Sequence, residues 1–233
     1  MNIKLSLTHA IIVVSLALWS RNDLWNENAS DSKAYWLKRT WISEASICIS
    51  FIYFLYDLFS EVSDLLYTGK RSLADLSHAL LCTFAYGVGC IFGIGQIPLM
   101  CLQLMEISTC WYNAYLLARK EMRRTPVVNH GSEHELHKVM LICGCLFAAS
   151  FFVVRIVLYG FWFAHVLPRF YANAHAAVCG QDILEGKTWC LRINAIAVVL
   201  LTAYYVLNCY WVVCILNKMI NGVNVKQTKA KEH

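Results

Sequence analysis

Apolar residues run along the chain in long stretches that short polar segments separate. Six such stretches cover roughly residues 5–20, 41–60, 73–95, 97–118, 139–165 and 192–217. Each approaches the length of about 20 residues that a helix needs to cross a bilayer. A chain in lipid must pair its own backbone polar groups, and no alternating barrel pattern is present. The sequence therefore predicts an all-α fold, a polytopic membrane helical bundle with about six transmembrane helices.

Glycine and proline divide the nearly continuous apolar stretch 73–118. Gly93, Gly95 and Pro98 interrupt it, which predicts two helices joined by a tight turn. The first stretch lacks a small-x-small cleavage site, so we interpret it as an anchor and not as a signal peptide. We therefore divide the chain into an N-terminal anchor with its first loop at 1–40, the main transmembrane domain at 41–217, and a polar cytosolic tail at 218–233.

Composition narrows the class of protein further. Of the 233 residues, 58% are hydrophobic and only 15% are charged, against roughly 25% charged in an ordinary soluble domain. This excludes a disordered chain, a small disulfide scaffold and a nucleic-acid-binding domain, so no nucleic acid is expected as a partner. The net charge of +5 fits Lys and Arg concentrated in loops on one side of a membrane.

The distribution of basic residues predicts the orientation. With six spans, twelve Lys and Arg share the side of both termini and seven lie opposite, so both termini should be cytosolic. Asn28 begins a glycosylation sequon on the luminal side, and Lys229 and Lys231 resemble a dilysine retrieval signal. The endoplasmic reticulum is the favoured location. The mitochondrial inner membrane is the alternative, because no acidic residue precedes Asp23.

Cysteine and histidine clusters give little support for a metal site. Cys179 and Cys190 lie in a polar loop and would form a disulfide only if that loop faces an oxidising lumen. His130, His134 and His137 resemble one histidine box of a membrane di-iron oxygenase. Such sites need several boxes, so we expect a solvated loop and no metal.

Ionisable residues inside the apolar stretches are the strongest functional candidates, because they are costly in lipid and usually face the bundle interior. Glu106 lies near the middle of the fourth stretch and Arg155 slightly beyond the middle of the fifth, which predicts an ion pair. Further polar residues place a pocket above this pair, open to the cytosolic leaflet. The alternative is a set of structural hydrogen bonds without a ligand. These further residues are Asp57, Asp75, His78, Asn113, Asn208 and Trp211.

His78 is the candidate catalytic residue. Imidazole changes its charge near neutral pH, so it can act as a general acid or base. Asp75 lies three residues earlier on the same helix face and would orient the ring. The alternative is a hydrogen-bonded histidine near the membrane interface.

Four sequence motifs point to a family. They are Tyr53-x-x-Tyr56-Asp57, Asp75-x-x-His78, Glu106-Ile107-Ser108-Thr109-x-x-x-Asn113, and Phe151-Phe152-Val153-Val154-Arg155-Ile156 followed by Asn208-x-x-Trp211. On these motifs, the chain resembles the TLC-domain family over roughly residues 40–217. That family of lipid-associated membrane proteins includes ceramide synthases and smaller relatives.

The resemblance implies a helical bundle around a lipid-accessible cavity and work on, or sensing of, acyl lipids. It places inward-facing residues at Tyr53, Asp57, Glu106, Asn113, Arg155, Asn208 and Trp211. Ceramide synthases carry two His-His pairs, whereas this chain has Ser77-His78 and no second pair. Ceramide synthase chemistry is therefore not expected.

Three hypotheses of function follow. The first is a protein that binds or handles acyl lipids in membrane lipid homeostasis, with membrane lipids as its partners and no cofactor. The second is a non-catalytic lipid-binding subunit of a larger complex, with membrane-protein partners. The third is an acyltransferase that uses His78 and Asp75, with acyl-CoA as the cosubstrate.

Overall fold

In a computed structural model of the chain, the structure describes residues 3–25, 39–69, 73–93, 95–124, 130–164, 196 and 199–217. These residues form helices and no strand, which confirms the all-α prediction. The helix that begins at His130 is α-helical up to Ser150 and π-helical over Phe151–Leu158, and it then continues as far as residue 164. The helices are α1 (Ile3–Trp25), α2 (Trp41–Thr68), α3 (Leu73–Phe92), α4 (Gln96–Leu104), α5 (Glu106–Arg124), α6 (beginning as His130–Ser150) and α7 (Val199–Asn217).

Among the described residues, five helices are long and apolar enough to cross a membrane: α1, α2, α3, α6 and α7. The stretch 97–118 is instead divided between α4 and α5. At Met105 the backbone N–H bonds to the Leu102 carbonyl at 3.1 Å, and the Ser108 N–H bonds to the Met105 carbonyl at 3.2 Å. These i to i−3 bonds tighten the chain locally. The stretch is therefore two successive helices and not the single helix that its hydropathy predicts.

The ends of α2 follow from side-chain and glycine caps. Thr40 and Ser43 form a reciprocal capping box, with the Ser43 N–H 3.1 Å from Thr40 Oγ1 and the Thr40 N–H 3.0 Å from Ser43 Oγ. Gly69 ends the helix in the left-handed conformation, with φ 63°. The helix therefore extends eight residues beyond the predicted end at 60.

The predicted turn between the third and fourth stretches is confirmed. Gly93 and Gly95 both adopt positive φ, 63° and 70°, a conformation that residues with a Cβ rarely adopt. Gly93 has a second constraint, because a Cβ at this position would overlap the guanidinium of Arg39. That guanidinium also pairs with Glu44 at 3.0 Å.

Replacing Gly93 by alanine should cost little more than the same change at Gly69, because the far end of the flexible Arg39 side chain can move aside. Both glycines have φ 63°, but an added Cβ at Gly69 meets no atom within 4 Å. We expect each change to lower the free energy of unfolding by about 1 kcal/mol, with at most a further ~1 kcal/mol at Gly93 for displacing the half-exposed Arg39–Glu44 pair. Denaturant titration in detergent micelles measures both values. A loss at Gly93 that exceeds the loss at Gly69 by much more than ~1 kcal/mol would show that Arg39 cannot move aside.

Packing between neighbouring helices builds the bundle. Helices α2 and α3 form one antiparallel pair and α5 and α6 another, while α1 packs against α2, α4 and α5. The main core cluster comprises Ile47, Phe54, Cys82, Tyr86, Leu99, Leu102, Met105, Tyr159 and Tyr204. Four of these residues are aromatic, so ring packing dominates the centre of the bundle.

The predicted loop at 119–138 is mostly helical where the structure describes it. Helix α5 continues to Arg124 and α6 begins at His130. The prediction of a loop at the histidine box is therefore wrong, because these residues are helical. His134 and His137 are exposed on the first turns of α6. Asn28, the Cys179–Cys190 pair and the two tail lysines lie outside the described residues.

Candidate functional site

Arg155 is the centre of the polar interior. Its side chain is buried, with the residue 3% exposed, and it reaches from α6 to the first turn of α5. Arg155 Nη2 donates to Glu106 Oε1 at 3.4 Å, so the predicted ion pair is confirmed. Arg155 Nε donates to Ser108 Oγ at 2.8 Å, and Nη2 donates to Thr109 Oγ1 at 3.0 Å. The Glu106-to-Thr109 motif thus provides three acceptors for one guanidinium.

The other side of the guanidinium contacts α7. Arg155 Nη1 donates to Asn208 Oδ1 at 3.4 Å and lies 3.5 Å from the Tyr204 hydroxyl. The Asn208 amide donates to the Tyr204 carbonyl at 3.0 Å, which fixes its orientation. The five contacts of Arg155 equal the five N–H donors of a guanidinium. Such complete pairing offsets the cost of burying the charge and joins α5, α6 and α7.

The π-helical segment positions Arg155. Phe151, Arg155 and Tyr159 are all buried and follow one another at four-residue intervals, while the residues between them are half-buried or exposed. The Phe151 ring lies 5.2 Å from Arg155 Cζ, within the range of a cation–π contact. π-Helical segments inside α-helices are frequent at functional sites.

His78 lies in a cage of aromatic rings beside this cluster. Its ring centroid is 5.8 Å from Phe54, 5.7 Å from Tyr204 and 5.1 Å from Trp211. The Cys82 sulfur is 3.8 Å from both ring nitrogens, which is a weak contact. Trp211, predicted to face inward, therefore does so by packing on His78, and Tyr204 contacts both His78 and Arg155.

Asp75 does not join this group. It is exposed, and within the part of the chain that the structure describes no hydrogen bond connects it to His78. The geometry therefore gives no support to Asp75 as the residue that orients the His78 ring. The nitrogens of that ring contact instead the Cys82 thiol, one helical turn along α3.

Tyr53 and Asn113, two of the predicted inward-facing residues, have their direct partners on α1. The Tyr53 ring stacks on His9 with centroids 3.8 Å apart and planes 8° from parallel. Asn113 Nδ2 donates to Ser6 Oγ at 2.9 Å. Asp57 is buried on α2, one turn beyond Tyr53. The polar interior therefore has two parts, one around Arg155 and His78 and one along α1.

The architecture and the motif residues now point to one family. The family model described as the TLC domain matches residues 4–217. The chain belongs to the TLC-domain family. With its apolar helices, it is an integral membrane protein of a lipid-associated family. No curated protein and no solved structure matches the chain significantly.

The matched range of the TLC domain includes α1, and α1 carries an unusual buried group. His9 is 4% exposed and stacks on Tyr53, yet its Nε2 atom has no hydrogen-bond partner within the described ranges. Asn113 Oδ1 is likewise buried without a partner there. An unpaired buried polar atom costs about 1–3 kcal/mol relative to a paired one. The α1 interface is therefore less well satisfied than the Arg155 cluster.

Replacing His9 by phenylalanine should consequently do little harm. The variant keeps an aromatic ring against Tyr53 and removes the unpaired nitrogen, so we expect a free energy of unfolding that is unchanged or higher by ~1 kcal/mol. Asn113→Leu is the matched control, because it breaks the bond to Ser6 and should cost about 1–2 kcal/mol. Thermal unfolding in detergent measures both. A larger loss for His9→Phe would mean that His9 Nε2 has a bound partner in the membrane.

Six described residues around Arg155 and His78 are absent from the predicted site residues: Phe54, Cys82, Ser108, Thr109, Phe151 and Tyr204. The spacing from Glu106 could have identified Ser108 and Thr109, because they belong to the same helical turn. Nothing in the sequence marks Tyr204, since tyrosine is common at membrane interfaces. Among the described residues, no group of three or more His, Cys, Asp or Glu could hold a metal ion.

Proposed function

We propose that this TLC domain binds acyl lipids, with the polar part of the lipid at His78, and serves membrane lipid homeostasis. Ionisable residues inside transmembrane bundles are costly and commonly mark a functional site. Arg155 has its donors matched by protein acceptors, so it serves mainly to hold the helices together. His78 is the group available to a ligand.

The observation that carries the proposal is the environment of the His78 ring. Aromatic rings of α2 and α7 surround it, while among the described residues its nitrogens contact only the Cys82 sulfur at 3.8 Å. A neutral imidazole has one donor and one acceptor. An ester or amide of an acyl lipid can satisfy the donor, while the acyl chain packs on the rings. A lipid would thus supply the strong hydrogen bond that His78 lacks.

Binding of acyl lipids by His78→Phe tests the proposal. Purified protein is exchanged into lipid nanodiscs, and the bound lipid is measured by native mass spectrometry after gentle detergent transfer. Loss of one hydrogen bond should weaken binding about tenfold. His137→Phe, at an exposed histidine of α6, is the control and should bind as the wild type does. Equal lipid occupancy in both variants would refute the role of His78.

An acyltransferase is the second candidate, favoured by the contact between His78 and the Cys82 thiol. In this mechanism, His78 acts as general base for the acyl acceptor, and acyl-CoA is the cosubstrate. His78→Ala should then abolish transfer, whereas Asp75→Asn should have little effect because Asp75 does not contact the ring. Absence of transfer from any acyl-CoA would eliminate this candidate and leave lipid binding untouched.

A non-catalytic subunit of a larger membrane complex is the third candidate, and mild extraction tests it. A stoichiometric partner that co-purifies would support it, and a lone protein with bound lipid would oppose it.

For location, we propose the endoplasmic reticulum with cytosolic termini, and the mitochondrial inner membrane is the alternative. Glycan attachment at Asn28 would establish the luminal first loop that the first location requires.

A further inference from the structure

Helices α2 and α3 approach each other closely along one seam, which we define by Cys48 and Phe51 on α2 and Gly87 and Cys90 on α3. A Cβ added at Gly87 would lie only 3.0 Å from the Phe51 ring. Cys48 lies three residues before Phe51, and Cys90 lies three residues after Gly87. Because the helices are antiparallel, both shifts point to the same end of the seam. Their sulfur atoms are 3.2 Å apart. Helix packing thus brings two thiols into contact that are 42 residues apart in the sequence.

The cysteine pair lies towards the end of the seam that carries exposed charged side chains. Cys90 is three residues before Gly93, on which the Arg39 guanidinium packs. Arg39 and Glu44 form an ion pair there, with side chains 50% and 47% exposed. Both cysteines are themselves partly accessible, whereas Cys82, further along α3, is buried. A small reagent at that end of the helices therefore has a shorter path to this thiol pair than to the interior thiol.

We propose that Cys48 and Cys90 form a reversible disulfide that ties α2 to α3. The oxidant is a disulfide reagent of the glutathione type. One cysteine thiolate attacks the reagent disulfide, which forms a mixed disulfide and releases one reagent thiol. The second cysteine then attacks the mixed disulfide, closes the Cys48–Cys90 bond and releases the other reagent thiol. Two protein thiols are oxidised, and one reagent disulfide is reduced to two thiols.

The bond would fix the spacing between α3, which carries His78, and α2, which packs on its ring. Helix α2 supplies Phe54, whose ring lies 5.8 Å from His78 on α3. Oxidation would therefore restrict separation of these rings, and reduction would restore it. The disulfide does not depend on the proposed lipid binding, because it follows from the helix seam alone.

Peptide mapping of the oxidised protein tests the proposal. The full chain in detergent is incubated with glutathione disulfide at mildly alkaline pH, blocked with an alkylating reagent, digested and analysed by mass spectrometry without reduction. We expect a peptide pair joined through Cys48 and Cys90. Cys48→Ser and Cys90→Ser should each abolish it. Cys145→Ser, at an exposed cysteine of α6, is the control and should leave it intact.

Thermal unfolding provides a second readout. Oxidised wild type should melt about 4 °C or more above the reduced form, and dithiothreitol should reverse the shift. Neither serine variant at the seam should show a shift, although both should melt near the reduced wild type. If the oxidised wild type contains no peptide pair joined through Cys48 and Cys90, the proposal is overturned. This holds even if both thiols are found alkylated. Pairing of Cys48 or Cys90 mainly with other cysteines does so as well.

Discussion

Arg155→Leu is expected to lower the free energy of unfolding by about 3–5 kcal/mol, the loss typical of removing one partner of a buried ion pair. The change leaves the Glu106 carboxylate buried without its cation. It also removes the donor from Ser108 and Thr109 on α5 and from Asn208 on α7. Denaturant titration in detergent micelles measures the loss. A loss below ~1 kcal/mol would contradict the proposed role of Arg155 in joining three helices.

A double-mutant cycle separates pairing from general damage. Glu106→Gln should also destabilise the protein, and the double variant should lose less than the sum of the single losses, by about 0.5–3 kcal/mol. Strict additivity would show that the two side chains do not interact. Glu44→Gln is the control, since its pair with Arg39 is about half exposed and should contribute at most about 1 kcal/mol.

Gln103→Met is the second large effect that we expect. Gln103 is fully buried on α4, where Nε2 donates to Ser50 Oγ at 2.7 Å and to the Ser46 carbonyl at 3.0 Å. The amide oxygen accepts from Ser46 Oγ at 2.8 Å. Methionine fills a similar volume but removes the partner of the Ser46 and Ser50 hydroxyls, while the Ser46 carbonyl keeps its helical N–H donor. We expect a loss of about 2–4 kcal/mol, because an orphaned buried polar group costs about 1–3 kcal/mol.

Gln96→Met is the matched control on the same helix. Gln96 is also buried, at 1% exposed, but its Oε1 atom has no hydrogen-bond partner within the described residues. Removing an unpaired group should be nearly neutral, within ~1 kcal/mol. Thermal and denaturant unfolding of both variants in the same detergent provides the comparison. Equal losses at Gln96 and Gln103 would show that burial of the side chain, and not its hydrogen bonds, determines stability here.

Charged side chains and glycines were predictable because each carries a large energetic constraint. An ionised side chain deep in hydrocarbon needs a partner, so Glu106 and Arg155 could be paired from depth alone. Gly93 and Gly95 interrupt a long apolar stretch, so the turn at that point was also predictable. The helical bundle itself followed from the length of the apolar stretches.

Neutral polar groups were not predictable, because several arrangements satisfy a hydroxyl or an amide at similar cost. Tyr204 and the Ser46–Gln103 contacts depend on the rotation of each helix, which hydropathy does not fix. The break at Met105 was missed for a related reason. Hydropathy averages over about one span, while the break arises from two local i to i−3 hydrogen bonds. Helical spacing groups Asp75 with His78, yet no hydrogen bond joins the two side chains among the described residues.

The π-helical segment of α6 makes the residue count of that helix critical. The part before the segment packs on α5, and beyond it the Tyr159 hydroxyl donates to the Leu201 carbonyl on α7 at 3.1 Å. A helix in lipid has no loop to absorb an inserted residue, and adding or deleting one turns everything beyond it by about 100°. The π-helical segment therefore determines how the part of α6 after it is rotated about the helix axis relative to the part before it. Single-residue insertions or deletions there should be tolerated as poorly as loss of Arg155 itself.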